Sequence, residues 1–151
     1  MKSHYRAVVI GGGVVGASTL YHLAKMGWSD VVLLEKLEYT SGSTWHAAGL
    51  LPLFNMSYSV GKIHKYSVDL YQTLEDETGQ EVSFHKTGNL RLARNKERMD
   101  EYKRYCGTAS TIGVPFEIIG PQEIKELWPF AKVDDLVGAL YHPDDGHVAP
   151  V

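Results

Sequence analysis

The fold of this chain is decided by residues 5–35, YRAVVIGGGVVGASTLYHLAKMGWSDVVLLE. Ala7–Ile10 is a short apolar run rich in β-branched residues, which is typical of a buried parallel strand. A helical pattern covers residues 14–26, and Val31–Leu34 is a second apolar run. The order of strand, glycine turn, helix and strand predicts a βαβ unit with two parallel strands.

The turn between the first strand and the helix carries glycines in G-x-G-x-x-G spacing, at Gly11, Gly13 and Gly16. Glycines at these positions allow a tight turn, close approach of the backbone to a pyrophosphate, and close packing of helix on strand. The helix begins at Val14 and Val15, so its unpaired N–H groups and positive dipole end would face the phosphates. The spacing therefore predicts a nucleotide-binding turn.

A carboxylate stands at the end of the second strand, at Glu35, nineteen residues after Gly16. A carboxylate in this place can accept both hydrogen bonds of an adenosine ribose diol, and it would repel a 2′-phosphate. Lys36 follows it and could contact the adenosine, although a solvated lysine fits the position equally well. The unit therefore predicts a bound dinucleotide, and it leaves open whether this is FAD or NAD.

Composition and charge exclude several classes of function. The chain has 151 residues, 44% of them hydrophobic, which is enough for the core of one ordinary domain. Its net charge is −3 and it has no long basic run, so nucleic acid and anionic membranes are not expected partners. No apolar run approaches the ~20 residues of a membrane span. The single cysteine, Cys106, excludes an internal disulfide and a cysteine-based metal cluster.

The first strand lies so near the start of the sequence that no room is left for a signal or transit peptide ahead of it. We therefore expect a cytoplasmic protein. The mitochondrial matrix is the expectation if a transit peptide is missing from this sequence.

The pattern of the sequence changes after residue 57. The βαβ pattern gives way to helices that alternate with short strands, and the turn at residues 86–89 predicts a hairpin. We expect an α/β fold in which residues 1–57 form the N-terminal part of a Rossmann-like nucleotide-binding domain and residues 58–151 begin a mixed, antiparallel, substrate-side domain. The predicted helices cover 60–77, 96–112 and 121–128, and the predicted strands cover 82–84, 90–93, 115–119 and 136–141.

The predicted sheet is incomplete. A doubly wound sheet normally has about five or six strands, and only two parallel strands are evident in this sequence. We therefore expect the chain to be a fragment, the N-terminal part of a larger protein.

A second unusual segment is GSTWHAAGL, residues 42–50, which follows Glu35 closely and should lie near the nucleotide. Its small residues let the backbone approach a flat ligand, and the hydroxyls of Ser43 and Thr44 can donate to phosphate or ring oxygens. We also expect a short helix to begin near Thr44. His46 could hydrogen-bond, ligate a metal or act as a nucleophile. The other candidate ligand contacts are Gly42, Ala47, Ala48, Gly49 and Leu50.

The βαβ unit ending in LLEK, followed by GSTWHAAGL, resembles the dimethylglycine and sarcosine dehydrogenase family of the D-amino-acid-oxidase-like FAD enzymes. The resemblance continues over essentially the whole chain, through FH at 84–85, RLA at 91–93 and DGH at 145–147, and the dimethylglycine branch fits better than the sarcosine branch. It implies FAD as the cofactor of a flavoprotein, joined covalently through its 8α-methyl carbon to His46. A neutral imidazole nitrogen can add to the electrophilic form of that methyl group.

The resemblance also implies an activity, the oxidation of an N-methyl amine such as N,N-dimethylglycine by hydride transfer to the flavin. An electron-transfer acceptor would then reoxidise the flavin. The iminium product would be hydrolysed to formaldehyde or captured by tetrahydrofolate, a step that the resemblance assigns to a C-terminal domain absent from this chain. We therefore expect the chain to be inactive by itself.

On the substrate side, the resemblance places residues 145–147 near the flavin, which makes His147 the one candidate catalytic residue. His85 is interpreted as a histidine of the predicted hairpin. The family commonly has an acidic residue before Pro150, where this chain has Ala149, so any contact made by that acid is in doubt.

Two other functions remain open. One is a non-catalytic, flavoprotein-like regulatory subunit, since a subunit that regulates pyruvate dehydrogenase phosphatase has the same architecture. The other is an NAD-dependent Rossmann oxidoreductase. This function is disfavoured because the third strand of a classical NAD-binding domain does not follow Glu35 in this sequence. No metal site is predicted, because the Asp-Asp-Gly sequence at 144–146 is typical of a turn; the residues that could be drawn as a cluster are His142, Asp144, Asp145 and His147.

Overall fold

The computed structural model describes residues 2–150, which form two compact units. We call the first the N-unit; it comprises the described residues up to Gly49 together with Pro150. We call the second the C-unit; it comprises Leu50–Ala149. The functional division at residue 57 stays a prediction. No helix in the described part of the chain is both long enough and apolar enough to cross a membrane.

The N-unit is the predicted βαβ unit. Strand β1 (Ala7–Ile10) leads into helix α1 (Val14–Lys25) and then strand β2 (Val31–Leu34). The two strands pair in parallel, with Ala7 opposite Val31. Both strand ranges agree with the prediction, and the helix ends one residue earlier than expected.

The prediction of a short helix near Thr44 is wrong. Residues 39–46 form a series of turns instead, in which the N–H of Trp45 reaches back to the carbonyl of Thr40 at 3.3 Å. Thr40 has a φ of 63°, which a regular right-handed helix does not allow. Serine and threonine side chains favour such turns because their local hydrogen bonds compete with those of a helix. Glycine favours them because of its conformational freedom.

The C-unit contains two antiparallel sheets of three strands each. In the first, strand β8 (Gly146–His147) lies between β3 (Leu50–Leu51) and β4 (His85–Lys86). In the second, strand β7 (Gly138–His142) lies between β5 (Asn89–Ala93) and β6 (Glu117–Ile119). The expected mixed α/β architecture, a βαβ unit followed by antiparallel strands and helices, is confirmed.

The predicted hairpin at residues 86–89 is wrong. Strands β4 and β5 do not pair, because β4 pairs with β8 and β5 pairs along five residues of β7. The N–H groups of Thr87 and Gly88 both donate to the carbonyl of Asp145, at 3.1 and 2.8 Å. Gly88 has a φ of 72°, so its turn carries the chain from one sheet to the other.

The C-unit also contains three helices: α2 (Tyr58–Thr78), α3 (Lys96–Thr111) and α4 (Pro121–Leu127). The side chains of Ser57 and Asn95 accept N–H groups at the starts of α2 and α3, and Gly79 ends α2 in the left-handed conformation. The larger hydrophobic core combines α2, α3 and β7, and includes Val68, Met99, Tyr102, Tyr105, Val114 and Leu140.

Candidate functional site

The glycine turn after β1 is shaped by close contacts that side chains would prevent. A Cβ atom on Gly16 would overlap the carbonyl oxygen of Gly11, so α1 packs against the end of β1 only with glycine there. A Cβ atom on Gly13 would lie 2.9 Å from the Oγ1 atom of Thr44. Gly11 itself has a φ of 105°, which favours glycine. The predicted tasks of turn formation and close helix packing therefore fit the structure.

The start of α1 leaves backbone donors available. The N–H of Val14 donates to the Oγ1 atom of Thr44 at 3.0 Å, and the Gly13 N-cap has no side chain to offer. Among residues 2–150, no acceptor is found for the N–H groups of Gly13, Val15 and Gly16. Unpaired N–H groups at the positive end of a helix dipole attract anions such as phosphate.

Glu35 accepts hydrogen bonds through both carboxylate oxygens, one from the glycine turn and the other from the backbone that follows Glu35. Its Oε2 atom accepts the N–H of Gly12 at 2.6 Å, and its Oε1 atom accepts the N–H groups of Lys36 and Leu37 at 2.7 and 2.9 Å. The bond from Gly12 is the main reason that the pKa of the Glu35 carboxyl lies below its usual range. A carboxylate has about four acceptor positions, so the binding of a ribose hydroxyl has room at one of them. The ribose contact stays a prediction.

The loop after β2 is fastened to the same turn. The N–H of Thr40 donates to the carbonyl of Gly12 at 3.1 Å, and a Cβ on Gly12 would lie 2.5 Å from the Tyr39 ring. Neither Gly12 nor these two loop residues was among the predicted site residues. Gly12 is the middle glycine of the GGG run, which was a visible signal, whereas nothing in the sequence indicated Tyr39 or Thr40.

His46 lies in the turns that follow, with its ring anchored at one nitrogen. The Nδ1 atom of His46 is 2.9 Å from the carbonyl oxygen of Gly42. Because a carbonyl only accepts, Nδ1 carries the hydrogen and the neutral ring keeps its lone pair on Nε2. The Trp45 ring packs beside it, with ring centroids 4.3 Å apart. His46 is exposed, so Nε2 is accessible.

The remaining predicted residues divide between the two units. Ser43, Ala47 and Ala48 lie in the same exposed turns as His46. Leu50 lies on β3 of the C-unit, directly opposite His147 of β8. The structure therefore brings together two residues, 97 positions apart, that the sequence suggested separately.

Asp145, which belongs to the Asp-Asp-Gly sequence interpreted above as a turn, is buried in the C-unit together with His142. Both side chains are 2% exposed, and the His142 Nδ1 atom lies 3.1 Å from the Asp145 Oδ1 atom. That same oxygen accepts the N–H of Leu53 at 3.0 Å. Across residues 2–150, no group of three or more histidine, cysteine, aspartate or glutamate side chains is arranged to hold a metal ion.

Comparison with protein families gives a match over nearly the whole chain. The family model described as DAO, FAD dependent oxidoreductase, matches residues 6–151. Dimethylglycine dehydrogenase, mitochondrial, from Rattus norvegicus is 49% identical over 149 residues, which is 99% of this chain and 17% of the relative. The pyruvate dehydrogenase phosphatase regulatory subunit, mitochondrial, from Mus musculus is 42% identical, with the same two shares covered.

A solved structure agrees with the fold. The crystal structure of L-proline dehydrogenase from P. horikoshii matches with a TM-score of 0.90 and 32% identity, over 99% of this chain and 39% of that chain. The chain thus spans about a sixth of the length of the curated relatives that it matches.

Proposed function

Because the chain belongs to the DAO family of FAD-dependent oxidoreductases, we propose that it forms the first part of the FAD site of an amine-oxidising enzyme. The observation that carries this proposal is the glycine turn. There, a Cβ on Gly16 would overlap the Gly11 carbonyl, and the N–H groups of Gly13, Val15 and Gly16 find no acceptor among residues 2–150. Such a turn fits a pyrophosphate, and FAD contains one.

Different residues of the N-unit bind different parts of the cofactor. The start of α1 takes the pyrophosphate, and the hydroxyl of Thr44 keeps its hydrogen for a phosphate oxygen because it only accepts from Val14. Glu35 keeps an acceptor position on Oε2 for a ribose hydroxyl. Its negative charge disfavours a 2′-phosphate, which supports an adenosine without that group.

His46 is proposed as the covalent attachment residue, and Nε2 is the reacting atom. The bond of Nδ1 to the Gly42 carbonyl fixes the tautomer, so the nucleophilic lone pair is on Nε2. Bound FAD would supply the electrophilic 8α-methyl carbon for this bond, and His46 would supply the Nε2 lone pair while the Gly42 carbonyl holds Nδ1–H.

The substrate that the family suggests is a small N-methyl amine. The name of the rat relative, dimethylglycine dehydrogenase, supports N,N-dimethylglycine as an example of this substrate class. Bound FAD supplies the hydride acceptor for the C–H bond next to the nitrogen. The acceptor that reoxidises the flavin, and a tetrahydrofolate-dependent step in a further domain, belong to the same proposal. So does a location in the cytoplasm, or in the mitochondrial matrix as the name of the rat relative suggests.

One observation favours a second candidate function. The 42% identity to a regulatory subunit covers the same 99% of the chain, so a flavoprotein-like regulatory protein is consistent with the sequence. Reduction separates the two functions. Because this chain is expected to be inactive by itself, the test uses the longer protein that contains it. In that protein a catalytic flavin is bleached by N,N-dimethylglycine in the absence of oxygen, whereas a regulatory flavin keeps its visible bands.

The covalent link is tested by acid precipitation of the flavin-loaded protein. We expect yellow colour in the washed pellet of the unmodified chain and its loss to the supernatant in His46→Ala. The exposed histidine of the N-unit at position 4 provides a matched control, and His4→Ala should retain the colour in the pellet. Colour found entirely in the supernatant of the unmodified protein would refute the link.

A further inference from the structure

Two of the seven histidines have no hydrogen-bond partner at either ring nitrogen among residues 2–150. Each of the other five has a ring nitrogen within hydrogen-bond distance of a neighbour in the chain. The unpartnered pair is His85 and His147, and the partnered residues are His4, His22, His46, His64 and His142.

The unpartnered histidines lie side by side. His85 on β4 is directly opposite His147 on β8, and their ring centroids are 5.1 Å apart with a 40° angle between the rings. Leu50 on β3 lies opposite His147 from the other side. Residues directly opposite one another in a sheet point to the same face, so the three side chains form a row. We call this row, Leu50–His147–His85, the imidazole face.

The imidazole face is open to solvent. His85 is exposed, His147 is half-buried and Leu50 is 66% exposed. No carboxylate of residues 2–150 forms an ion pair with either imidazole; in this region Asp144 pairs with Lys86, and Asp145 with His142. The two rings are therefore available to a molecule from outside the chain.

Asp145 fixes the position of this face. The β3–β8 and β4–β8 ladders have two residue pairs each, which is a small number for a stable sheet. Asp145 links all three strands, because it precedes β8, its Oδ1 atom accepts the N–H of Leu53, and its carbonyl accepts two N–H groups just after β4. The separation of the two imidazoles is thus set by buried hydrogen bonds and does not depend on the exposed ladder alone.

We propose that the imidazole face binds the carboxylate group of a small molecule. Two adjacent imidazoles can each donate one N–H to one carboxylate oxygen, and a charged acceptor strengthens both bonds. Leu50 supplies an apolar contact for the carbon atoms of the ligand. The ligand class is an N-methylated amino acid, so this inference rests on the proposed function.

The test measures binding to the full chain by following the ring signals of all seven histidines in NMR titrations. The probes are N,N-dimethylglycine, acetate and dimethylamine, which separate the carboxylate from the amine. We expect the first two to shift the signals of His85 and His147 together along one saturable curve. Dimethylamine has no carboxylate, so it should leave both signals in place.

Two variants and one control make the test specific. His85→Asn and His147→Asn should each weaken carboxylate binding about tenfold, because one charge-assisted hydrogen bond is lost. His4→Asn should bind as the unmodified chain does. The amide spectrum of each variant shows whether the C-unit has kept its fold. If a variant unfolds, the corresponding Gln variant replaces it.

The proposal is overturned if acetate shifts all histidines without saturation, if dimethylamine shifts the pair, or if His85→Asn binds as tightly as the unmodified chain. Acid precipitation of the same samples reports the flavin independently. Carboxylate binding without retained flavin would leave the imidazole face intact and refute covalent attachment at His46. Retained flavin without carboxylate binding would refute the imidazole face alone.

Discussion

The N-unit and the C-unit are held in their conformations by different kinds of interaction. All the buried hydrophobic side chains among the described residues lie in the C-unit, beginning at Leu53. In the N-unit the buried residues are glycines, Gly12 and Gly49. Its β1 residue Ile10 is 86% exposed, and Val15 at the start of α1 is 77% exposed.

The difference shows where sequence information acts. The N-unit depends on backbone geometry, through positions where only glycine fits and through a carboxylate that accepts three N–H groups. The C-unit depends on side-chain packing around helices and two sheets. Substitutions should therefore destabilise the two units by different mechanisms, and their costs can be ranked.

The largest effect is expected from Leu140→Ala in the C-unit. Leu140 is 1% exposed in the larger core, and truncation of such a side chain costs about 2–5 kcal/mol of the free energy of unfolding. Ile10→Ala in the N-unit is the matched control, with an expected change of less than about 0.5 kcal/mol. Urea denaturation measures both. Equal losses would mean that the two units do not differ in the way described.

A smaller effect is expected from Gly16→Ala. The new Cβ would overlap the Gly11 carbonyl, and the strain should cost about 1–3 kcal/mol. Amide hydrogen exchange should accelerate in α1 and β1 while the core of the C-unit keeps its protection. Gly42→Ala is the control, because nothing lies within 4 Å of a Cβ built there. If exchange accelerated equally throughout the chain, the backbone of the N-unit would not be the site of the strain.

The smallest effect is an acid dependence at Glu35. Its pKa in the folded chain is below the ordinary value of 4.5, chiefly through the Gly12 N–H. Its stabilisation is therefore complete above pH 4.5 and is lost as the pH falls through the lower, folded-state pKa. Glu35→Gln should remove this dependence from the exchange rate of the Gly12 amide between about pH 6 and pH 3. An unchanged pH profile in the variant would contradict the assignment.

Asp144 provides the corresponding control in the C-unit. The hydrogen bond from Lys86 holds the pKa of the Asp144 carboxyl below its usual range, so its stabilisation has the same sign of pH dependence. Asp144→Asn should alter the acid response of amides near β4 and β8 and leave that of Gly12 unchanged. A response of Gly12 to this substitution would show that the two acid effects are not separate.

The sequence was sufficient for the βαβ part of the N-unit because the signals there are local. The apolar runs, the glycine spacing and the acid at position 35 all act within 31 residues, and β1, α1 and β2 were predicted almost to the residue. The predicted site residues Gly11, Gly13, Gly16 and Thr44 lie close together. Tyr39 and Thr40 were missed, because their contact with Gly12 depends on the course of an irregular loop.

The pairing of strands in the C-unit could not be inferred locally. Residues 86–89 look like a hairpin turn, yet the adjoining strands pair with partners that come at least 45 residues later. Asp145 looks like a turn residue, and its carboxylate is buried because it accepts an N–H from Leu53, 92 residues earlier. His85 was assigned to a hairpin because its pairing with His147, 62 residues later, could not be inferred from the local sequence.

This long connection has a consequence for the order in which the protein folds. The pairing of Ala7 with Val31 closes a short loop, whereas the bond between Leu53 and Asp145 closes one of 92 residues. The longer closure costs about 1 kcal/mol more in chain entropy, and distant contacts form slowly. During synthesis the N-unit can form early, while the β3–β8–β4 sheet must wait until His147 has left the ribosome. The imidazole face is therefore completed later than the βαβ unit.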